Sequence, residues 1–392
     1  MSLETFRESK AYKWTYKVIS FLIGQWFFIF LGVFIALAHS YPEFAKQGGT
    51  IRAEYSIGYG AVAVIFLISG LSMSTKQLLV NVANWRAHFT VLSMSFLVTS
   101  AIIYGIASGI KASHNGQIDD WLLIGLIVTH ACPTTVSSNV VMTKQAHGND
   151  ILTLCEVFIG NVLGAFITPA LLQMYMRGTW EIGNPSHQTQ GDSTVQELYA
   201  HTMKQLGLSV FVPLFVGQVV QNIFPKQTKW CLTTFKLNKV GSFMLLLIMF
   251  QSFSTAFAQH AFTSVSHASI IFLVFFNIGI YLFFTVLTFF YSRPFWILRV
   301  FKEEPNESKD TVAVMLCGPA KTAALGVSLV SSQYGSHNPK LGIILVPLVL
   351  YQAEQVMTAN VLVSFMRKWI HAEDKVPEDE ETSVGSDNDP KK

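Results

Sequence analysis

Long apolar stretches recur along the whole chain, and polar residues are gathered into short segments between them. Ten stretches each hold about 20 or more residues, the length that a helix needs to cross a ~30 Å hydrocarbon core. Because a backbone inside a bilayer must satisfy its own hydrogen bonds, each stretch is predicted to be a helix. The predicted spans are Val18–Ala38, Ser56–Thr75, Phe89–Ile110, Trp121–Thr143, Ile151–Met176, Gln205–Pro225, Val240–His260, Ser269–Tyr291, Thr311–Tyr334 and Leu341–Met366.

The composition agrees with this pattern. The 392 residues are 51% hydrophobic and 13% charged, with a net charge of +3, whereas soluble proteins are about 25% charged. This excludes an ordinary cytosolic enzyme, a disordered protein and a nucleic-acid-binding protein, and it leaves a polytopic helical protein of the lipid bilayer. The apolar runs do not alternate, which disfavours an outer-membrane barrel. No CxxC pair occurs, and the cysteines are interpreted as small buried residues: Cys132, Cys155, Cys231 and Cys317.

The basic residues predict the topology. If both termini are cytoplasmic, 20 of the 27 Lys and Arg residues fall in inside segments and six outside, while Lys321 falls within a span. This is the positive-inside distribution, and it supports an even number of spans. The predicted parts are a cytoplasmic N-terminal segment (1–17), a first five-helix repeat (18–176), an external loop (177–204), a second five-helix repeat (205–366) and an acidic, disordered cytoplasmic tail (367–392).

Five spans per half predict an inverted repeat, because an odd number of spans turns the second half over. Pro133 in the fourth span and Pro319 in the ninth are helix breakers at matching positions. A proline removes a helix hydrogen bond, and the freed carbonyls and half-helix N-termini become available to a ligand or ion. The predicted fold is therefore all-α, with ten helices, the fourth and ninth broken. The predicted crossing site consists of Pro133, Thr134, Thr135, Ser137, Ser138, Asn139, Cys317, Pro319, Lys321 and Thr322.

Three charged residues fall inside the predicted spans: Glu156, Lys321 and Glu354. Each costs about 2.5–3.5 kcal/mol to insert, so such residues are functional by default. Lys321 is predicted to pair with Glu156, with Glu354 or with both in turn, and Gln355 is counted with these charge partners. One interpretation is a structural ion pair; the other is a switch in which a proton or a cation releases the lysine.

The sequence lacks the common motifs of metal sites, nucleotide-binding sites and catalytic triads. It contains no HExxH motif, no clustered Cys/His set, no Walker-type loop and no recognisable Ser/His/Asp arrangement. We therefore expect no catalytic residues, no resident metal and no cofactor. His130 is interpreted as a hydrogen-bonded buried histidine rather than a proton carrier.

Two segments carry recognisable motifs, CPTTVSSNV at 132–140 and IFLISGLSMST at 65–75. They resemble the crossover segment and the second helix of the bile acid:sodium symporter superfamily. The run Cys-Gly-Pro-Ala-Lys-Thr at 317–322 resembles the Cys-Gly-x-x-Lys-Ser/Thr motif of one branch, which holds bacterial homologues and the seventh member of the vertebrate solute-carrier group. Further runs are similar to the fungal proteins of that branch, at 84–88, 156–161 and 354–360.

The resemblance implies a panel domain and a core domain, with the fourth and ninth helices crossing in the core. For the fungal branch it implies a plasma-membrane protein that restrains calcium entry, acting on a calcium channel or transporter as partner. In sodium-coupled members the ninth helix supplies a glutamate and, four residues on, Gln-Asn. Here those positions are Cys317, Lys321 and Thr322, which puts sodium coupling in doubt.

The lysine suggests a specific hypothesis. Its ammonium would stand where a coupling cation sits in relatives, hydrogen-bonded by Ser138 and Asn139 and with Glu156 close by. Two functions remain open: a regulator of calcium influx, and a secondary carrier of an organic anion or other small solute. A direct calcium carrier is disfavoured, because calcium prefers six to eight oxygen ligands with several carboxylates.

Overall fold

The computed structural model describes residues 26–46, 48–72, 74–113, 116, 118–135, 137–184, 204, 207–258, 265–293, 307–334, 338 and 340–373. The predicted segment 1–17, the start of the first span, most of the external loop and residues 374–392 of the predicted tail lie outside these residues. The predicted domain boundaries therefore stay predictions.

Within the described ranges the protein is entirely helical. The helices of eight or more residues are α1 (Trp26–Ser40), α2 (Ala53–Ser72), α3 (Thr75–Val82), α4 (Trp85–Ala112), α5 (Asp120–Ala131), α6 (Ser137–Gln145), α7 (Asp150–Tyr175), α8 (Gly207–Ile223), α9 (Pro225–Thr234), α10 (Leu237–Ala258), α11 (His267–Ser292), α12 (Glu307–Cys317), α13 (Ala323–Tyr334) and α14 (Leu341–Glu373).

Five of these helices are long and apolar enough to cross a bilayer, namely α2, α4, α10, α11 and α14. Counting the bent helix α7 and the bent pair α8–α9 raises the number of candidate spans to seven in the part of the chain that the structure describes. The all-helical, multi-span prediction is thus confirmed. The count of ten spans and the inverted repeat remain predictions.

Both predicted helix breaks are present. Helix α5 ends at Ala131 and α6 begins at Ser137, while α12 ends at Cys317 and α13 begins at Ala323. Cys132 is extended, with φ −72° and ψ 155°. The residue before a proline is pushed out of the helical region, so Pro133 accounts for this local geometry.

Helix α5 is the centre of the main core. Its residues from Leu122 to Ala131 are all buried, which is the pattern of a helix surrounded by protein on every side. Helix α14 packs closely against it at Gly125, where an added Cβ would lie 2.6 Å from the carbonyl oxygen of Ile344. The absence of a side chain at Gly125 therefore permits the close approach of α14, which carries several residues of the site described below.

A second close contact joins α2 and α8. A Cβ added at Gly217 would lie 2.6 Å from the Leu67 carbonyl oxygen and 2.9 Å from the backbone nitrogen of Leu71. Apolar burial contributes little to association between helices in lipid, so small residues that allow close van der Waals packing matter more. Gly217 is therefore central to this helix pair.

We expect Gly217→Ala to destabilise the protein by about 1–3 kcal/mol, the usual cost of overpacking a close contact. Gly279→Ala in α11 is the matched control, because a Cβ there meets nothing within 4 Å. Thermal unfolding of the purified variants in detergent measures the difference. Equal midpoints for the two variants would contradict the importance of the α2–α8 contact.

Candidate functional site

The two helix breaks lie against each other and are joined by hydrogen bonds. The Thr134 hydroxyl donates to the Cys317 carbonyl at 2.8 Å, and the Thr322 backbone N–H donates to the Pro133 carbonyl at 2.9 Å. All four residues belong to segments that are shielded from solvent. Each break thus provides partners for backbone groups that the other leaves without a helical partner.

Thr134 is the hub on the side of the first break. Its hydroxyl also accepts a hydrogen bond from the Asn139 amide at 3.0 Å, and its carbonyl accepts one from the Asn161 amide at 3.2 Å. The Thr135 and Ser138 hydroxyls bond each other at 2.9 Å. The structure therefore gathers these polar residues around the break, while their role in binding remains a prediction. The side chain of Ser137 lies outside what the structure describes.

Lys321 is fully buried and lies within the second break. Its side chain extends to α4 and to the first break. Its ammonium donates to the Ser95 carbonyl at 2.5 Å, to the Ser95 hydroxyl at 3.1 Å and to the Cys132 carbonyl at 3.2 Å. The three protons of an ammonium thus have three oxygen acceptors. Ser95 lies in the π-helical turn Ser93–Val98 of α4, a geometry that often occurs at functional sites.

The predicted carboxylate partner of Lys321 is wrong within the described structure. Glu156 is bonded instead to His88, with 2.7 Å between Oε1 and Nδ1. Ser138 and Asn139 also do not bond the ammonium; their side chains bond Thr135 and Thr134 instead. Backbone oxygens from the neighbouring elements provide the stabilisation that the sequence had assigned to a carboxylate.

Side chains of helix α14 are hydrogen-bonded to the backbone of the second break. The Gln355 amide donates to the Lys321 carbonyl at 2.6 Å, and its oxygen accepts the Lys321 backbone N–H at 2.8 Å. Gln352 accepts the first N–H of α13 at 2.9 Å, and the Tyr351 hydroxyl donates to the Pro319 carbonyl at 2.8 Å. Gln355, predicted as a charge partner, therefore holds the backbone on both sides of the lysine.

Glu354 is not bonded to Lys321. Its Oε2 is buried without a hydrogen-bond partner among the described residues. The Asn277 amide of α11 is the polar group that lies near this carboxylate, although neither atom of the amide makes a hydrogen bond within the described part of the chain. The predicted joint action of Glu354 and Lys321 is thus not what the geometry shows.

The Glu156–His88 pair is a buried unit of its own. Nε2 of His88 lies 3.0 Å from the Val82 carbonyl, which can only accept, so Nε2 carries a proton. The contact between Nδ1 and Oε1 therefore contains one further proton, which either group can hold. The pair is neutral overall in both arrangements. This explains how a carboxylate at 0% exposure is accommodated within the helices.

Sequence reasoning missed five of the residues that make these contacts: His88, Ser95, Asn161, Tyr351 and Gln352. A histidine at the start of a predicted span was a visible signal, as was the polar run from Tyr351 to Gln355 in the middle of another. Ser95 gave no signal, because serine is ordinary in an apolar run and acts here partly through its backbone. Among the residues described, no three His, Cys, Asp or Glu side chains come together in a group able to hold a metal ion.

We expect His88 and Glu156 to be strongly coupled in a double-mutant cycle. His88→Ala leaves a buried carboxylate without its partner, and breaking a buried pair in this way costs about 3–5 kcal/mol. Glu156→Ala should also destabilise, while the double variant should cost clearly less than the sum of the two. Thermal unfolding is the measurement, with Glu43→Ala at an exposed carboxylate as control. Additive effects would disprove the coupling.

Comparisons with known proteins agree with this architecture. The sequence profile described as the SBF-like CPA transporter family matches residues 25–368. The chain is 95% identical to "Solute carrier RCH1" of Candida albicans across the full length of both proteins. It is 54% identical to "Solute carrier RCH1" of Saccharomyces cerevisiae, covering 96% of this chain and 91% of that protein.

A more distant relative extends the comparison to vertebrates. The chain is 28% identical to "Sodium/bile acid cotransporter 7" of Danio rerio, covering 90% of this chain and 96% of that protein. The family match spans nearly all of the described helices, including both breaks. The chain is therefore a membrane protein of the SBF-like CPA transporter family.

Proposed function

We propose that this protein is a plasma-membrane member of the family that restrains calcium entry into the cytosol. The proposal is supported by the motifs at 84–88, 156–161 and 354–360, which resemble the fungal branch. It is also supported by the strong similarity to two fungal solute carriers. The role is regulatory, exerted on a calcium channel or transporter in the same membrane.

The proposed architecture has ten spans in two inverted five-helix repeats, with panel and core domains and both termini cytoplasmic. Two observations support it. Helices occur in each of the ten predicted apolar stretches, and the two breaks lie in the fourth stretch of each half. Inverted repeats of transporters bind their ligands near such broken helices.

The observation that carries the mechanism is the ammonium of Lys321 at the contact between the breaks. Three oxygens surround it in a place where the resemblance puts sodium ligands in other members. A fixed cation there makes a mobile coupling cation unnecessary and would repel one. We therefore propose that the protein works without sodium.

The same geometry argues against direct transport of calcium through this site. Calcium needs six to eight oxygen ligands, usually with several carboxylates. Glu156, the carboxylate that the sequence hypothesis placed close to Lys321, is bonded to His88. The ammonium of Lys321 lies at the contact between the two helix breaks. A doubly charged cation would therefore meet repulsion without compensating ligands.

A second candidate function is a secondary carrier of an organic anion or another small solute. One observation favours it: α6 and α13 both begin at the breaks, so their N-termini lie near the buried lysine. Half-helix N-termini attract anionic groups, as does an ammonium. Purified protein in liposomes that moves a labelled organic anion would establish the carrier. Absence of flux together with a co-purifying calcium channel would establish the regulator.

Cytosolic calcium recordings test the regulatory role. We expect cells without the gene to show a larger and longer rise of cytosolic calcium after a pulse of external calcium, and re-expression of the wild-type protein to reverse it. The physical reason is that a restraint on the entry pathway is missing. Identical traces with and without the gene would overturn the proposal.

Lys321 variants test the mechanism. Lys321→Gln replaces the ammonium with a neutral amide that can still donate hydrogen bonds, so we expect it either to abolish the restraint of calcium entry or to make it depend on external sodium. Lys340→Gln, outside the junction, is the matched control and should behave as wild type. Calcium recordings in sodium and in an impermeant substitute distinguish these outcomes. A wild-type response of Lys321→Gln in both media would exclude the surrogate-cation role.

A further inference from the structure

Two short helices, α3 and α9, both begin beside the end of α8. Helix α9 turns by 115° from α8, too sharply to continue across the membrane in the same direction. The hydroxyl of Thr75, at the start of α3, contacts Gln218 at 2.8 Å and Asn222 at 2.7 Å near the end of α8. Both short helices therefore start from the same end of α8.

Helix α9 has two distinct faces. Thr228 is buried and Leu232 is partly buried, so this side packs on the protein. Lys226, Lys229 and Trp230 lie on the exposed side, and Trp230 is 62% exposed. A helix with lysines and a tryptophan on its free face has the composition of a segment that lies in the membrane interface.

Helix α3 repeats the same arrangement. Lys76 is exposed, and the neighbouring side chains on that face, Leu79 and Val80, are 66% and 67% exposed. Large apolar side chains that stand open beside a lysine are costly in water but favourable at the boundary between headgroups and acyl chains. We refer to the exposed faces of α3 and α9 together as the interfacial platform.

The lysines of the platform have no ion-pair partner within the described part of the chain. They are Lys76, Lys226 and Lys229, and Lys236 and Lys239 follow directly after α9. The sequence contains no Asp or Glu at all between Glu197 and Glu303. The distribution of basic residues predicts that this side faces the cytoplasm, where the leaflet carries anionic lipids.

We propose that the interfacial platform binds the headgroups of anionic phospholipids. The lysines of α3 and α9 contact the phosphates, while Leu79, Val80 and Trp230 insert at the level of the glycerol backbone. The exposed face of each helix carries both apolar and basic side chains, a mixture that fits the boundary between headgroups and acyl chains better than a soluble acidic protein. The site is separate from the junction of the helix breaks.

Quenching of Trp230 by brominated lipids tests the proposal. The full-length protein is reconstituted in vesicles of phosphatidylcholine and phosphatidylserine, with the bromine on one lipid or the other, and the signal of Trp230→Phe is subtracted to isolate Trp230. We expect brominated phosphatidylserine to quench at least about twofold more than brominated phosphatidylcholine at equal mole fraction, and the preference to shrink at high salt.

Charge variants complete the test. Replacing Lys76, Lys226 and Lys229 by Gln should abolish the preference, whereas the same three changes to Arg should keep it and show that the fold is intact. Soluble glycerophosphoserine should not compete, because it lacks acyl chains. Equal quenching by both lipids, or a preference that survives in the Gln variant, would overturn the proposal.

Discussion

The structure depends on one constraint: backbone groups freed by a break inside the bilayer must find partners within the protein. Two proline-associated breaks satisfy this together. Pro133 and Cys317 offer carbonyls to Thr322 and Thr134, and Gln355 bonds both backbone groups of Lys321. Either break alone would leave several polar groups unpaired. The position of α5 and α6 therefore depends on that of α12 and α13.

Two of the buried charged residues, Lys321 and Glu156, likewise find partners within the protein. The ammonium of Lys321 is stabilised by oxygen dipoles from Ser95 and Cys132, which would otherwise be poorly solvated themselves. The carboxylate of Glu156 shares a proton with His88 and forms a neutral unit. The core thus holds the ammonium of Lys321 and the neutral Glu156–His88 pair as separate units.

Much of the fold followed from local chemistry, whereas the partners in the site did not. Apolar length predicted the helices, and Pro133 and Pro319 predicted the breaks, because a proline acts on its own turn. The pairing of Lys321 with a carboxylate was wrong because partners depend on which faces of distant helices meet. Ser95 contributes mainly a backbone oxygen, and no side-chain pattern could reveal that.

The hydrogen bonds of the junction also limit how the protein can move. Helices α5, α6, α12 and α13 meet at the breaks, and α14 is bonded to the second break through Tyr351, Gln352 and Gln355. A conformational change that separated them would expose several unpaired polar groups at once in a water-poor interior. The contact between α2 and α8 combines close packing at Gly217 with a hydrogen bond from the Gln218 amide to the Gly70 carbonyl at 2.7 Å. The hydrogen bonds of the junction therefore favour conformational changes that keep α5, α6, α12, α13 and α14 together, with Lys321 held among them.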